Sequence, residues 1–419
     1  MAYHETAEAG GAYPRLVDDA RHPSFSTSVT HPSSSATMID YLRSCNESFD
    51  ERPFSPVDSL VLASLAYLEF DAYAHGDVHG PCEVPLVDVI RFTDIDAMTS
   101  GGWIKASKDL RPFLEALLRC YRYADLSVGY FINENAAAIE KQFCACTFRF
   151  DRGRSYYVAF RGTDGTFAGW KEDFNLSYRK IIPSQRSAER YVSGVLSALP
   201  PSSRIFVGGH SKGGNLAEFS AATIDDAAYG RIERVFNHDG PSFLNDPSPR
   251  VDTPEFAGKL HKTVPESSIF GMILEKRNDY AVVRSDASGI FQHNPFTWLV
   301  ADDDFQYQDS LNAGAALFDR TLDRWLKSCT PSQRETFIDT FYELIVSSDA
   351  RTWQEFQEGG FLGNVAGIVR DGKNLDAETK AIIAHTMRNL GSVANATVRE
   401  RLRGFVMRMR TSAMATPEK

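Results

Sequence analysis

The segment RIFVGGHSKGGNLAEF, residues 204–219, constrains the fold more than any other part of the sequence. Its first residues have the apolar composition of a short buried strand, and NLAEFSAATIDDAA has the composition of a helix. A glycine-rich turn joins the two directly and carries Ser211. A buried strand that passes at once into a helix is typical of α/β sheets.

The rest of the central region repeats this alternation of strands and helices. A helix is predicted at 186–199, between two groups of strands. The predicted strands are 143–150, 156–162, 204–209, 232–238, 261–265 and 279–285. Such an alternation favours an α/β fold with a mostly parallel central sheet, flanked by N-terminal and C-terminal helical segments.

The chain is predicted to have four parts. Residues 1–37 are rich in Ser, Thr and Pro and are expected to be a disordered polar extension. Residues 38–130 are expected to be mostly helical and to pack on the core. Residues 131–306 form that α/β core, and residues 307–419 have helical patterns. In the first helical part, Ser55, Pro56 and Asp58 have the spacing of a helix start with a capping box.

Composition excludes several classes of protein. The net charge of −10 over 419 residues provides no basic surface for nucleic acid. The six cysteines are too sparse for a disulfide scaffold, so reduced thiols are expected. The first residues lack a signal-peptide pattern, and no apolar run has the length of a membrane span. We therefore expect a soluble cytoplasmic protein.

A zinc site is not predicted, although His75, His79 and Cys82 have a spacing that invites one. Glycine and proline residues between them break any helix that would align the two histidines. No fourth ligand is apparent in the neighbouring sequence. A plain loop is the expected structure.

The residues from Gly209 to Gly213 fit the pattern G-x-S-x-G of a nucleophile elbow. The elbow would expose Ser211 above the sheet, and the backbone N–H of Lys212 would face a developing oxyanion. A phosphate-binding P-loop needs its lysine after the glycines, and here Lys212 precedes two of them. The alternative to a nucleophile is a glycine-rich turn without chemistry.

A serine nucleophile needs a histidine as general base, and in this fold that histidine follows the serine in sequence. Four of the ten histidines follow Ser211, and His293 in QHNPFTW is the predicted base because it lies on a loop after the last predicted strand. His238 ends a strand, where a structural role fits equally well. His261 begins a strand, and His385 lies in a helical pattern.

Several of these motifs together resemble the class 3 (fungal-type) lipases. In that family an FRG(S/T) strand end is followed by a tryptophan, an aspartate and a GHSxGG elbow, as in YYVAFRGTDGTFAGWKEDF and FVGGHSKGGNLAEFSA here. QHNPFTW is similar to the family's catalytic-histidine segment. The match covers residues 143–300. From Met38 onward, the chain also resembles a family of bacterial lipase-like proteins of unknown function that share GHSKGGNLA, DGPSF-like and VPESSIFGMIL-like segments.

The resemblance implies an α/β-hydrolase fold, a lipid or other carboxylic-ester substrate, and no metal or organic cofactor. Carried onto this sequence, it implies Ser211 as nucleophile and His293 as base. Thr163 would line the oxyanion hole together with Lys212. Asp173, in WKEDF, corresponds to a structural acid near that loop.

The sequence departs from the family at the triad acid. The family's aspartate follows the strand that here reads HKTVP, but this sequence continues with Glu266 and two serines. Asp239, at the end of another predicted strand in VFNHDGPSF, is the predicted acid because a carboxylate there would hold His293 in one tautomer. Glu266 is the alternative acid, and a simple turn-forming role is the alternative for Asp239.

The sequence therefore predicts a serine esterase or lipase-like enzyme that works through a Ser-His-Asp triad and an acyl-enzyme. An acyltransferase on the same scaffold is one alternative. A catalytically idle binding protein that kept the fold is another. In the C-terminal part, the helical pattern 398–410 has an apolar face flanked by arginines, which fits contact with an anionic membrane or docking on the protein's own core.

Overall fold

The computed structural model of the chain describes residues 35–98, 107–164, 167–316, 319–320, 326 and 330–346. The predicted polar extension, apart from residues 35–37, and the predicted 398–410 helix lie outside these residues. Within them, no helix combines the length and the apolar composition that crossing a membrane requires.

A large mixed sheet forms the centre of the molecule. Its strands are β1 Val84–Pro85, β2 Ser127–Ala136, β3 Lys141–Phe150, β4 Ser155–Phe160, β5 Arg204–His210, β6 Ile232–His238, β7 Leu260–Pro265, β8 Tyr280–Val283 and β11 Tyr307–Gln308. The strands lie in that order across the sheet, and β4 to β8 are parallel to one another. A separate antiparallel pair consists of β9 Val300–Ala301 and β10 Asp304–Phe305.

Helices cover both faces of this sheet. They are α1 Met38–Ser44, α2 Pro56–Leu65, α3 Phe70–Tyr73, α4 Leu86–Phe92, α5 Ile95–Met98, α6 Leu110–Leu117, α7 Phe167–Asn175, α8 Pro183–Ala198, α9 Lys212–Thr223, α10 Asp226–Arg231, α11 Pro254–Lys259 and α12 Pro331–Val346. The parallel centre and the flanking helices confirm the predicted α/β fold class with a mostly parallel central sheet.

The core lies in two layers because the central strands are buried on both faces. Every residue of β4 is buried, and its side chains alternate between the layers. Tyr157 and Ala159 pack with the N-terminal helices, whereas Val158 and Phe160 pack with α8 and α9. The strands therefore read as continuous apolar runs, which is why the sequence revealed them.

Helix α2 starts as the sequence predicted. Ser55 accepts from the Asp58 amide, Pro56 is the first helical residue, and the Asp58 side chain accepts from the Ser55 amide. Asp58 also pairs with Arg122, 2.6 Å away, and both side chains are fully buried. This buried pair ties α2 to the turn that precedes β2.

The sheet begins earlier in the chain than the sequence predicted. Strand β2 begins at Ser127, inside the segment 38–130 that was expected to be mostly helical, and the short β1 lies wholly within it. The pairing of β2 with β3 shifts between Gly129 and Ile132, and Tyr130 has a positive φ of 50°. This irregularity breaks the period-2 pattern from which a strand is recognised.

Two smaller differences concern short elements. The single helix predicted after the elbow is divided, because Asp225 caps a new helix by accepting from the Ala228 amide at 3.0 Å. Strand β11 follows residue 306, where strand signals were expected to have ended. A two-residue strand is too short to leave a sequence pattern.

Candidate active site

Ser211 occupies a strained turn between β5 and α9. Its φ of 59° and ψ of −132° lie in a region that residues with side chains rarely adopt. The Ser211 amide donates to the His238 carbonyl at 2.9 Å, and its own carbonyl accepts from the Gly214 amide at 2.9 Å. The turn has the strand-to-helix geometry that a nucleophile elbow requires.

The glycines of the elbow allow the helix to approach the sheet closely. A Cβ atom on Gly213 would lie 2.1 Å from the carbonyl oxygen of Phe160, and one on Gly209 would lie 2.4 Å from the carbonyl carbon of Gly213. Neither contact is sterically allowed, and each involves backbone that cannot move aside. The spacing G-x-S-x-G is therefore required by packing at this turn.

The structure brings together the three residues predicted as nucleophile, base and acid. The His293 Nε2 atom lies 3.0 Å from the Ser211 hydroxyl oxygen, and its Nδ1 atom lies 2.6 Å from Asp239 Oδ2. Asp239 follows β6, the neighbour of β5, and His293 ends a 3₁₀ turn, Gly289–His293. Ser211 is half-buried, whereas the other two side chains are almost fully buried.

Hydrogen bonds to Asp239 fix the direction of its carboxylate. Its Oδ1 atom accepts from the Ser268 hydroxyl at 2.5 Å and from the Gly271 amide at 3.1 Å. Its own amide donates to the Thr263 carbonyl at 2.7 Å, and its φ is 53°. With Oδ1 occupied in this way, Oδ2 is left to accept from His293.

Glu266, the alternative acid, bonds to the side chains of two glutamines. Its Oε1 atom accepts from the Gln292 side-chain amide at 3.1 Å, and its Oε2 atom accepts from Gln308. The Gln292 side-chain oxygen accepts in turn from the Ser267 amide at 2.7 Å. Glu266 therefore supports the loop that carries His293.

Lys212 follows Ser211 directly, and its side chain points to the interior. As the first residue of α9, it has an amide without an acceptor inside the helix. Its buried ammonium group donates to the Gln142 carbonyl at 2.9 Å and to Glu172 Oε2 at 3.1 Å. This buried ion pair anchors the start of α9 to β3 and α7.

Thr163 lies beyond the carboxyl end of β4, next to the elbow. Its hydroxyl donates to the carboxylate of Asp173, a half-buried residue on α7. Burial raises the pKa of Asp173 to about 6, although the Lys212 charge and the Thr163 hydroxyl both oppose that rise. Asp173 therefore contacts the side chain of Thr163, beside the loop where the family resemblance implied a structural acid.

Two polar residues near His293 were not singled out from the sequence. His210, inside the elbow motif, bonds to the His293 carbonyl through Nε2 at 2.8 Å and to the Tyr67 hydroxyl through Nδ1 at 3.0 Å. The position of His210 beside Ser211 was a signal that could have identified it. Tyr67 lies in an apolar helical pattern that gives no such signal.

The histidine for which both roles were open, His238, makes other contacts. Its Nε2 atom lies 2.9 Å from the Ser59 hydroxyl, and its Nδ1 atom lies 2.8 Å from the Thr263 hydroxyl. Burial lowers its pKa well below the ordinary value. Its contacts are those of a structural residue between α2 and the sheet.

The three residues with zinc-like spacing are not assembled into a metal site. His79 bonds to the Phe131 carbonyl through Nδ1 at 2.7 Å, and the Cys82 thiol donates to the Thr147 carbonyl at 3.1 Å. Among the residues that the structure describes, no group of three or more His, Cys, Asp or Glu side chains is placed to hold a metal ion.

Among the comparisons with known proteins, the match to a family model shows the family of this chain. The crystal structure of the Lip2 lipase from Yarrowia lipolytica aligns over 59% of this chain and 93% of its own, with 13% identity and a TM-score of 0.33. No curated protein matches the chain. The model of the Mbeg1-like family matches residues 117–343, more than half of the 419 residues, and the chain therefore belongs to this lipase-like family.

Proposed function

We propose that this protein is a serine hydrolase that cleaves a carboxylic ester through an acyl-enzyme. The observation that carries the proposal is the continuous series of hydrogen bonds from Asp239 through His293 to Ser211, which ends on a strained elbow. A nucleophile, a base and an orienting acid in these positions are the components of acyl transfer.

The first half of the reaction forms the acyl-enzyme. His293 Nε2 takes the hydroxyl proton of Ser211 as Oγ attacks the ester carbonyl carbon, and Asp239 stabilises the imidazolium by accepting from Nδ1–H. The oxyanion accepts from the backbone amides of Lys212 and Thr163. Collapse of the tetrahedral intermediate breaks the ester C–O bond, and the leaving alcohol takes the proton from His293.

The second half of the reaction restores the enzyme. Water loses a proton to His293 as it attacks the acyl carbon, and the same two backbone amides stabilise the second oxyanion. The intermediate then releases the carboxylic acid, and Ser211 regains its proton from His293. Each step uses groups of this chain, water and the ester.

Aromatic side chains around His293 favour a substrate with an apolar part. The Phe270 ring lies 4.1 Å from the imidazole centroid, and Phe291 is 70% exposed only two residues from His293. Together with membership of a lipase-like family, this apolar surface supports a lipid or other hydrophobic ester.

A fluorophosphonate probe tests the proposal directly, because it reacts readily with a serine hydroxyl that a general base activates. Native protein, Ser211→Ala and His293→Ala are treated in parallel, and adducts are scored by intact mass. We expect one adduct on the native chain, no adduct on Ser211→Ala and at most slow labelling of His293→Ala. Peptide mapping should place the adduct on Ser211.

Two further results would contradict the proposal. A folded native chain that is neither labelled nor active on a panel of p-nitrophenyl esters would favour the idle binding protein. Labelling with acyl transfer to added alcohols or amines, but without hydrolysis, would favour an acyltransferase.

A further inference from the structure

We propose that Tyr67 and His210 are positioning residues which hold the backbone of His293 in place, so that the N-terminal helical segment fixes the general base. This inference rests on the proposed function, because it assigns a role within that site. It goes beyond the triad, because His210 bonds to the backbone of His293, its ring lies 4.5 Å from the His293 imidazole between centroids, and Tyr67 acts through His210.

The contact runs from the end of α2 to the base through two buried side chains. Tyr67 follows α2, and its hydroxyl lies 3.0 Å from His210 Nδ1. His210 Nε2 lies 2.8 Å from the carbonyl oxygen of His293. Tyr67 and His210 are 6% and 2% exposed, so water does not compete for either bond.

Chemistry assigns the hydrogens in this series. The His293 carbonyl can only accept, so His210 must carry its hydrogen on Nε2. The Nδ1 atom of a neutral imidazole then accepts, and the Tyr67 hydroxyl donates to it. Burial lowers the pKa of His210 well below the ordinary histidine value, which keeps this ring neutral. One tautomer therefore satisfies both hydrogen bonds.

The neighbouring carbonyl is held from the opposite direction. The indole N–H of the buried Trp298 donates to the Gln292 carbonyl at 2.7 Å. Two consecutive carbonyls of the loop thus accept from two buried ring donors, Trp298 and His210. Because a shift of about 1 Å in a catalytic group can reduce a rate by about 100-fold, fixing this backbone matters to the base.

Tyr67 also lies against the oxyanion side of the site. A Cβ atom on Gly162, the residue before Thr163, would be 2.2 Å from the Tyr67 hydroxyl and 3.1 Å from Ser211 Cβ. The absence of a side chain at Gly162 therefore leaves room for the hydroxyl between the strand end and the elbow. One tyrosine from the N-terminal segment reaches both the elbow and, through His210, the base.

The test compares variants that remove single groups from this series. Tyr67→Phe removes the hydroxyl, His210→Phe removes the ring donor, and His210→Gln keeps an N–H donor at the end of the side chain. Tyr157→Phe is the matched control. It also loses a buried tyrosine hydroxyl, one that bonds to Ser59 at 2.8 Å.

The first readout is the fluorophosphonate labelling rate at Ser211, together with kcat and KM for a p-nitrophenyl ester. We expect labelling to slow by about 10-fold in Tyr67→Phe and by about 100-fold in His210→Phe, with the loss in kcat and not in KM. We expect His210→Gln and Tyr157→Phe to remain within about threefold of native. Equal loss in Tyr67→Phe and Tyr157→Phe would overturn the proposal.

The second readout, hydrogen exchange of the peptide spanning residues 286–299, does not depend on catalysis. We expect faster exchange of this peptide in Tyr67→Phe and His210→Phe than in native protein or Tyr157→Phe. Unchanged exchange would overturn the positioning role, whatever the labelling shows. Faster exchange in these two variants, together with a native chain that the probe does not label, would refute the proposed hydrolase while supporting the contact described here.

Discussion

Two histidines near the carboxyl edge of the parallel strands each contact a serine hydroxyl at a similar distance. His293 Nε2 lies 3.0 Å from the Ser211 hydroxyl, and His238 Nε2 lies 2.9 Å from the Ser59 hydroxyl. Each imidazole bonds through Nδ1 to a second side chain. Distance alone would identify two serine–histidine pairs in one molecule.

The two pairs differ in the second partner and in access. His293 bonds to the carboxylate of Asp239, which can stabilise an imidazolium, whereas His238 bonds to the neutral hydroxyl of Thr263. Ser211 is half-buried on a strained turn, whereas Ser59 is fully buried within α2. A serine–histidine contact therefore becomes a candidate for catalysis only with a charged orienting group and a route for substrate.

The largest expected effect separates the two serines. We expect Ser211→Ala to reduce kcat/KM for a p-nitrophenyl ester by about 10⁶-fold, to the background rate. We expect Ser59→Ala to leave kcat/KM within about threefold of native. It should lower the free energy of unfolding by about 1–3 kcal/mol, because it leaves buried hydrogen-bonding groups without a partner.

Ester hydrolysis and urea unfolding measure these two quantities. A loss of activity in Ser59→Ala as large as that in Ser211→Ala, with both variants folded, would show that the comparison between the two serines is mistaken.

The next largest expected effect distinguishes the residues that bond to Nδ1 of the two histidines, Asp239 for His293 and Thr263 for His238. We expect Asp239→Asn to reduce kcat by about 10⁴-fold, because an amide that donates to Nδ1 would hold His293 in the wrong tautomer. We expect Thr263→Val to lower stability by about 1–3 kcal/mol, with little change in kcat. Steady-state kinetics on both variants provide the comparison. If Asp239→Asn retained native kcat, the assignment of Asp239 as the acid would be wrong.

The pH dependence of stability should reveal the contribution of His238, one of the buried histidines whose pKa is lowered. Burial lowers the pKa of His238, so below pH about 6.5 the unfolded chain binds a proton that the folded chain does not. The free energy of unfolding therefore falls as pH falls through this range, by at most about 1.4 kcal/mol per pH unit from this residue.

Urea midpoints between pH 7.5 and 5 test this expectation. We expect His238→Gln to show a shallower decline than native protein, because glutamine does not titrate. Parallel declines in the two proteins would mean that His238 is protonated in the folded state as readily as in the unfolded chain.

The smallest expected effect concerns the alternative acid. Glu266→Gln should keep kcat/KM within about threefold of native, because Glu266 bonds to the side chains of Gln292 and Gln308, whereas Nδ1 of His293 bonds to Asp239. Kinetics on this variant, run beside Asp239→Asn, decide between the two carboxylates. A loss larger than that of Asp239→Asn would reverse their roles.

Much of the fold could be predicted because it depends on local patterns. The elbow was identified because a buried strand, a glycine-rich turn and a helix follow one another directly in the chain. Gly209 and Gly213 are required there because a Cβ atom on either would lie within 2.4 Å of neighbouring backbone. The central strands were identified because burial on both faces makes them continuous apolar runs. Strand β2 was missed because the irregularity at Tyr130 interrupts its alternation.

The surroundings of the base could be predicted only in part. His293 was selected by chain order and by its loop, both of which are properties of the sequence. Tyr67 was missed because it precedes His210 by 143 residues and belongs to a segment expected only to pack on the core. Contacts between residues so far apart leave no mark on local composition.

The sequence by itself determined the strand-to-helix turn, its required glycines and the serine that the turn presents, since all of these follow from neighbours in the chain. Only the tertiary structure decided which carboxylate meets His293. Asp239 and Glu266 follow adjacent parallel strands, so both residues lie at the same edge of the sheet. The choice between them depends on hydrogen bonds from Ser268 and Gly271, which folding alone brings within reach of Asp239.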